Sequence, residues 1–315
     1  MKTFCNGIDI GGANIKVYRG KTEEAEIHYF PMWIEWKNLE DFMRNLDLKG
    51  KTGIVITAEL SDAFSSKEEG VVYISSLAKK IFDEVFFMDL DGNLKKEIDN
   101  PLNFSASNWV ASVKFLAETH DSFIFADMGS TTTDIIPVKE GRILASKTDF
   151  ERLRKKELLY FGMLRTPSFF LMDDNVSSEF FSVTADVMRI LGLIDEETYT
   201  CDTPDGRGRS VEECMQRFAR QFCADRKELD EDFLRYKAML IRDNMVRRVS
   251  EVFMEKKEEF GIDLVVGCGI GEIILRESAE KAGMNYISLE EKFGKFSEVF
   301  PAFAIANLVE RHDCC

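Results

Sequence analysis

Apolar runs alternate with small-residue and polar turns along the first third of the chain. Thr3–Ile10, Asn14–Tyr18 and Glu26–Phe30 read as three strands of a meander, joined by Gly11-Gly12 and by the polar turn around Gly20–Glu24. A short helix is expected from about Leu39 to Leu46. Gly53–Thr57 follows as a buried strand ending in Ala58-Glu59-Leu60-Ser61-Asp62. Lys67–Phe82 has the spacing of a helix, Val85–Met88 of a strand, and Ser107–Thr119 of a helix crossing to a second half.

Three strands, helix, strand and helix is the element order of a ribonuclease-H-like half. A second half opens with the apolar run Phe123–Ala126, returns as a strand to Val138 and continues into a third strand over Arg142–Ser146. From about residue 150 to 232 the strand pattern breaks, and a helical insertion is predicted. It contains a helix over Ser182–Leu191 and another begun by the capping box Ser210-Val-Glu-Glu213, with Val211, Met215, Phe218 and Phe222 on one face. A long helix carries Leu234, Ala238, Ile241, Met245, Val249 and Val252 at spacings of three and four. These Met and Phe stripes read as core. Asp263-Leu-Val-Val then forms a strand, three glycines alternate at Gly267, Gly269 and Gly271, and a helix runs from Glu272 to Ala282. Pro301 opens a last helix whose small residues suit tight packing, expected against the first half. The expected fold is α/β, with two ribonuclease-H-like domains facing a central cleft and a helical insertion in the second. Residues 1–118, completed by 301–315, would form the first domain and 119–300 the second.

The turns carry the candidate chemistry. Asp127-Met-Gly-Ser-Thr-Thr-Thr-Asp134 ends a strand in a carboxylate, turns through Gly129 and returns lined with hydroxyls. Such a turn offers backbone N–H groups and hydroxyls to an anion, and its Asp can hold a hydrated Mg²⁺. Asp9-Ile-Gly-Gly-Ala-Asn-Ile-Lys16-Val17 aligns on it without gaps. One such turn is an ordinary hairpin; the repeat points to two related halves.

Composition narrows the partners. With 41 basic and 56 acidic residues the 315-residue chain carries a formal charge of −15, which argues against nucleic acid. The seven cysteines (Cys5, Cys201, Cys214, Cys223, Cys268, Cys314, Cys315) show no CxxC or zinc spacing and are expected to be reduced, as in a cytoplasmic protein. Neither a signal peptide nor a membrane span is expected. His28, His120 and His312 have no metal spacing, and Arg207 and Arg209 in a glycine-rich loop could bind an anion or be solvated. The sequence leaves the oligomeric state open, a homodimer included.

Asp9-x-Gly-Gly, Asp127-x-Gly-Ser-Thr-Thr-Thr-Asp134 and Gly267-x-Gly-x-Gly, in that order, resemble the first phosphate, second phosphate and adenosine motifs of the acetate and sugar kinase/Hsp70/actin superfamily. A closer resemblance rests on Thr57-Ala-Glu59-Leu, Lys67-Glu-Glu-Gly70-Val, Asn108-Trp-Val-Ala111, Gly129-Ser-Thr-Thr-Thr-Asp-Ile-Ile-Pro137, Thr184-Ala-Asp186 and Asp205-Gly-Arg207-Gly. These resemble an archaeal methanofuran-biosynthesis family, hydantoinase/oxoprolinase-like, whose members join an aminomethylfuran methyl diphosphate to γ-glutamyltyramine. The resemblance implies a transferase that makes an aryl ether and releases diphosphate. Asp9 and Asp127 would anchor Mg²⁺. Gly11, Gly12, Asn14, Gly129, Ser130, Thr131, Thr132, Gly267, Gly269 and Gly271 would cradle the diphosphate, with Lys16 as a cation. Glu59 or Asp134 would be the base for the phenol. Superfamily members that use ATP usually carry Thr after the first glycines, where this chain has Ala13. Two other readings of the fold are an ATP-dependent small-molecule kinase and a non-catalytic actin-like nucleotide switch.

Overall fold

A computed structural model describes residues 4–173 and 175–312. Phe123–Pro137 and Arg152–Ser288 form one compact unit, and the rest of the described chain, including Val138–Glu151 and the segment from Leu289 onward, forms the other.

The first sheet contains β1 (Asn6–Gly11), β2 (Asn14–Arg19), β3 (Glu24–Tyr29), β4 (Lys51–Thr57), β5 (Glu84–Met88) and β6 (Leu94–Lys95), in the order β3-β2-β1-β4-β5-β6. The meander β1–β3 is antiparallel, and β4 runs parallel to β1 and to β5. Strand period sorts the two faces. Ile8, Ile10, Ile54 and Ile56 pack in one buried cluster with Val71, Ile74 and Ala78 of the helix Lys67–Ile81. On the other face Gly7 and Gly53 are cross-strand partners, and the helix Phe300–His312 lies against them. A Cβ on Gly7 would stand 1.8 Å from the Ala302 carbonyl oxygen, and one on Gly53 2.6 Å from the Ile305 side chain. The helix approaches the sheet that closely only because both positions are glycine and Ala302, Ala304 and Ala306 are small. The last helix thus packs on the first half, as its small residues suggest.

The second sheet contains β7 (Phe123–Met128), β8 (Thr133–Lys139), β9 (Arg142–Ile143), β10 (Leu158–Leu159), β11 (Leu264–Cys268) and β12 (Asn285–Ser288), in the order β10-β8-β7-β11-β12, with β9 also on β8. β11 is parallel to β7 and to β12. Each sheet therefore has a hairpin beginning and parallel strands added beyond its first strand, which is the ribonuclease-H-like plan. Long helix Glu231–Phe260 is started by the Asp230 side chain, which accepts from the Phe233 N–H, and stopped by Gly261 in the left-handed region. All six of its predicted core residues, Leu234 to Val252, are buried.

Some elements differ from expectation. The third strand of the second half is only Arg142–Ile143. Over residues 150–232 the α-helices Asp149–Arg154, Thr184–Leu191 and Val211–Arg220 are joined by long irregular stretches, and Leu158–Leu159 forms an edge strand on β8. Phe222 packs in the core just beyond its helix, in edge-to-face contact with Phe218. Two residues of alternation are too few to mark an edge strand, which is why β10 is silent in the sequence. Cys5, Cys201, Cys214, Cys223 and Cys268 are free thiols; Cys314, Cys315 and Thr3 lie outside the described residues.

Candidate functional site

In the first unit the turn between β1 and β2 is tight. A Cβ on Gly11 would lie 2.7 Å from the Asn14 carbonyl oxygen, whereas Gly12 faces open space. Asn14 has a buried side-chain oxygen with no protein partner among the described residues. Asp9 is buried on β1, opposite Lys16 in the β1–β2 register, and Thr57 Oγ1 donates to its Oδ1 at 3.5 Å.

Glu59 stands just beyond the end of β4 and is 2% exposed. Burial pushes its carboxyl up to about 7; its own backbone N–H, Lys67 and the Ala106 N–H oppose that shift, and Asp149 adds to it. One oxygen, Oε2, has no protein partner among the described residues. Ser66, not Glu59, caps the following helix through the Glu69 N–H, so helix capping does not account for Glu59. Gly70 on that helix makes the placement possible, since a Cβ there would meet the Glu59 Cα at 2.7 Å. Beside the carboxyl, Ala106 adopts φ +50° and Ser107 donates its N–H to Ile56 O, while Ser107 Oγ is buried without a partner. A nearly neutral-poised carboxyl with an unused oxygen can take a proton from a hydroxyl donor.

In the second unit Asp127, nine-tenths buried, precedes a turn closed by the Gly129 N–H to Thr132 O at 2.9 Å, with Ser130 and Thr131 hydroxyls 3.4 Å apart on it. Because β11 pairs with β7, Cys268 sits opposite Asp127 and the glycine run lies against this turn. Gly269, at φ +91°, is the close point: a Cβ would be 2.5 Å from Asp127 Oδ1. Gly271 donates its N–H to Met128 O and yields its space to the Met128 side chain. Gly267 yields its space to Tyr286, whose hydroxyl would be 1.9 Å from a Cβ. These two glycines thus have packing reasons of their own.

Asp134, the other candidate base, lies on β8 and is ion-paired to Arg152, whose side chain is 1% exposed and also donates to Glu157 O. The Asp134 carboxylate is thus committed to a buried guanidinium that would be left unpaired without it. Arg209 donates to Cys201 O and lies over the Tyr199 ring, and Arg207 is exposed beside Asp205. Below them Arg217 and Asp186 form a fully buried pair, joined by the Tyr199 hydroxyl.

Sequence reasoning missed Arg165. The segment Phe161–Arg165 is laid on the second turn by backbone bonds from Met163 to Gly129 O and from Leu164 and Arg165 to Ser130 O, and Arg165 Nη1 donates to Thr131 Oγ1 at 3.5 Å. Only the glycine at 162, flanking a strand-like run, hinted at a close approach there. Among the described residues no group of three or more His, Cys, Asp or Glu side chains could hold a metal. Asp127 lies beside a turn that carries the Ser130 and Thr131 hydroxyls, an all-oxygen donor set that suits a one-carboxylate Mg²⁺ site completed by water and phosphate oxygens. No helix of the described residues is long and apolar enough to cross a membrane.

Two ribonuclease-H-like sheets, each with an Asp-ended strand and a small-residue turn, place the protein in the actin-like ATPase fold class. The chain belongs to the hydantoinase/oxoprolinase family, whose pattern matches residues 51–312. It is 42% identical, over 99% of its own length and 99% of the relative's, to the (4-{4-[2-(γ-L-glutamylamino)ethyl]phenoxymethyl}furan-2-yl)methanamine synthase of Methanocaldococcus jannaschii. It is 36% identical to the protein of the same name from Methanococcus vannielii, over 62% of this chain and 95% of that one. A glucokinase of the ROK family from Streptomyces griseus, solved with glucose and AMPPNP, superposes with a TM-score of 0.49 at 11% identity, covering 97% of this chain and 98% of that chain.

Proposed function

We propose that the protein is the transferase of methanofuran biosynthesis that joins an aminomethylfuran methyl diphosphate to γ-glutamyltyramine. The observation that carries this reading is the 42% identity to a synthase of that ether, spread over 99% of both chains. The product named there is a phenoxymethylfuran, so the bond to be made joins a phenol oxygen to a furan-bound methylene. In the reaction the methylene C–O bond breaks, its electron pair leaves with diphosphate, and the phenol oxygen forms the new bond. The phenol proton goes to a base.

Glu59 takes that role. It is a buried carboxyl whose Oε2 has no protein partner among the described residues, and its proton affinity lies near neutral pH. The turn Gly129–Thr132 of the second unit offers the diphosphate backbone N–H groups and hydroxyls, and Gly11, Gly12 and Asn14 form a turn of the same kind in the first unit. In the second unit Asp127 would hold Mg²⁺, mostly through water, to neutralise the leaving diphosphate, and Asp9 is the carboxylate at the corresponding place in the first unit. Lys16 lies opposite Asp9 in register and supports that carboxylate's charge. The test is direct: pure protein, Mg²⁺, the furan diphosphate and γ-glutamyltyramine should give the ether by mass spectrometry, with one diphosphate released per ether. Absence of both products under conditions where the protein is folded overturns the reading.

A further inference from the structure

We infer that Arg165 is the diphosphate-binding cation of the second unit, and that the segment inserted after β9 serves to deliver it. This inference rests on the transferase reading above. Three backbone hydrogen bonds register residues 163–165 on the turn: Met163 N–H to Gly129 O at 3.0 Å, Leu164 N–H to Ser130 O at 3.0 Å, and Arg165 N–H to Ser130 O at 2.9 Å. Residue 162 must be glycine for this docking, since a Cβ would come within 2.5 Å of Gly129 O. These bonds use the Gly129 and Ser130 carbonyls as acceptors and so fix the docked segment to the turn.

The inserted segment clamps the docked piece from behind. Thr166 Oγ1 accepts from the Gly162 N–H at 2.9 Å, Thr184 Oγ1 donates to Gly162 O at 2.9 Å, Thr184 N–H donates to Thr166 O, and Ala185 N–H donates to Leu164 O. Thr166, Thr184 and Ala185 are buried, so the clamp is rigid. From that base the Arg165 guanidinium reaches Thr131 Oγ1, one of the hydroxyls assigned to the anion. A guanidinium presents two parallel N–H donors to phosphate oxygens, which a hydroxyl turn alone cannot. On a chain of formal charge −15 a fixed local cation is what makes a multiply charged ligand tolerable.

The test is calorimetric titration of the full chain with inorganic diphosphate and Mg²⁺, and separately with γ-glutamyltyramine. Arg165→Met should weaken diphosphate binding on the order of ten- to a hundredfold while leaving the acceptor's Kd and the Tm near wild type. Arg165→Lys, which keeps the charge and loses the fork, should fall between. Arg165→Gln keeps a polar stem able to reach Thr131, and decides the matter should the Met variant not fold. Normal diphosphate affinity in the folded Met or Gln variant overturns the assignment of Arg165 and leaves the transferase reading intact. Equal weakening of both ligands marks Arg165 as structural and also overturns it. A wild-type protein that binds no diphosphate removes the transferase reading itself, and this inference with it.

Discussion

At the scale of single residues the decisive comparison is between two carboxyls at strand ends. Asp134 faces a buried guanidinium, and Glu59 faces none of the kind. Glu59→Gln should keep the shape and lose about a hundred- to ten-thousandfold in ether formation while diphosphate still binds. Wild-type turnover should rise as Glu59 ionises through about pH 7, and the variant should recover only as the pH nears the phenol's own value, about 10. A Gln variant with near-normal turnover at neutral pH would exclude Glu59. Stability gives an independent readout. The folded carboxyl holds its proton up to about 7, whereas an unfolded one releases it near 4.5, so wild-type stability falls as pH rises through that window. The Gln variant has no such loss and should gain about 3 kcal/mol on wild type between the two ends, as read by denaturant titration at each pH.

Among the elements, the glycines separate into classes that the sequence shows identically. Gly7 and Gly53 make a slot for the helix Phe300–His312, Gly70 makes one for Glu59, and Gly267 makes one for Tyr286. A Cβ on Gly12 would meet nothing within 4 Å. Gly7→Ala should therefore cost ~3 kcal/mol or more, by driving a methyl into the Ala302 carbonyl. Gly12→Ala should leave the Tm unchanged and act on diphosphate affinity alone. Thermal melts and titrations of the pair check both; a stable Gly7→Ala protein would show that the last helix can retreat. What was legible followed from periodicity: the meander, the long helix, its six core residues and both Asp-ended turns repeat a pattern often enough to be read. What was not legible is short or non-local. β10 is two residues long, and Arg165 gains its meaning from a turn 34 residues earlier that only the folded chain brings to it. Burial of Arg152 was equally hidden, because an arginine in a charged run with Arg154, Lys155 and Lys156 reads as solvated.

For the whole molecule, one missing hydroxyl bears on the choice between a diphosphate-releasing transferase and a kinase, and the net charge sets how either ligand is met. Ala13, 8% exposed, puts a methyl in the first turn, so that position has no side-chain hydroxyl to donate to a γ-phosphate. The net charge of −15 repels any polyphosphate at long range, and that field is screened over about 8 Å at physiological salt. Local donors and Mg²⁺ must overcome it at short range. Mg²⁺ with diphosphate should therefore raise the Tm by a few degrees, as a ligand at a hundred times its Kd adds about 2.7 kcal/mol. Diphosphate without the metal should add almost nothing at low salt, and its binding should improve, not weaken, as salt rises towards 0.15 M, because repulsion is what the salt removes. Mg²⁺-ATP with γ-glutamyltyramine or a sugar should yield no ADP. Steady ADP formation that depends on an acceptor would mean a phosphoryl-transfer site and would count for the kinase, whereas diphosphate affinity that falls steeply with salt in the absence of metal would mean a basic face that outweighs the acidic surface.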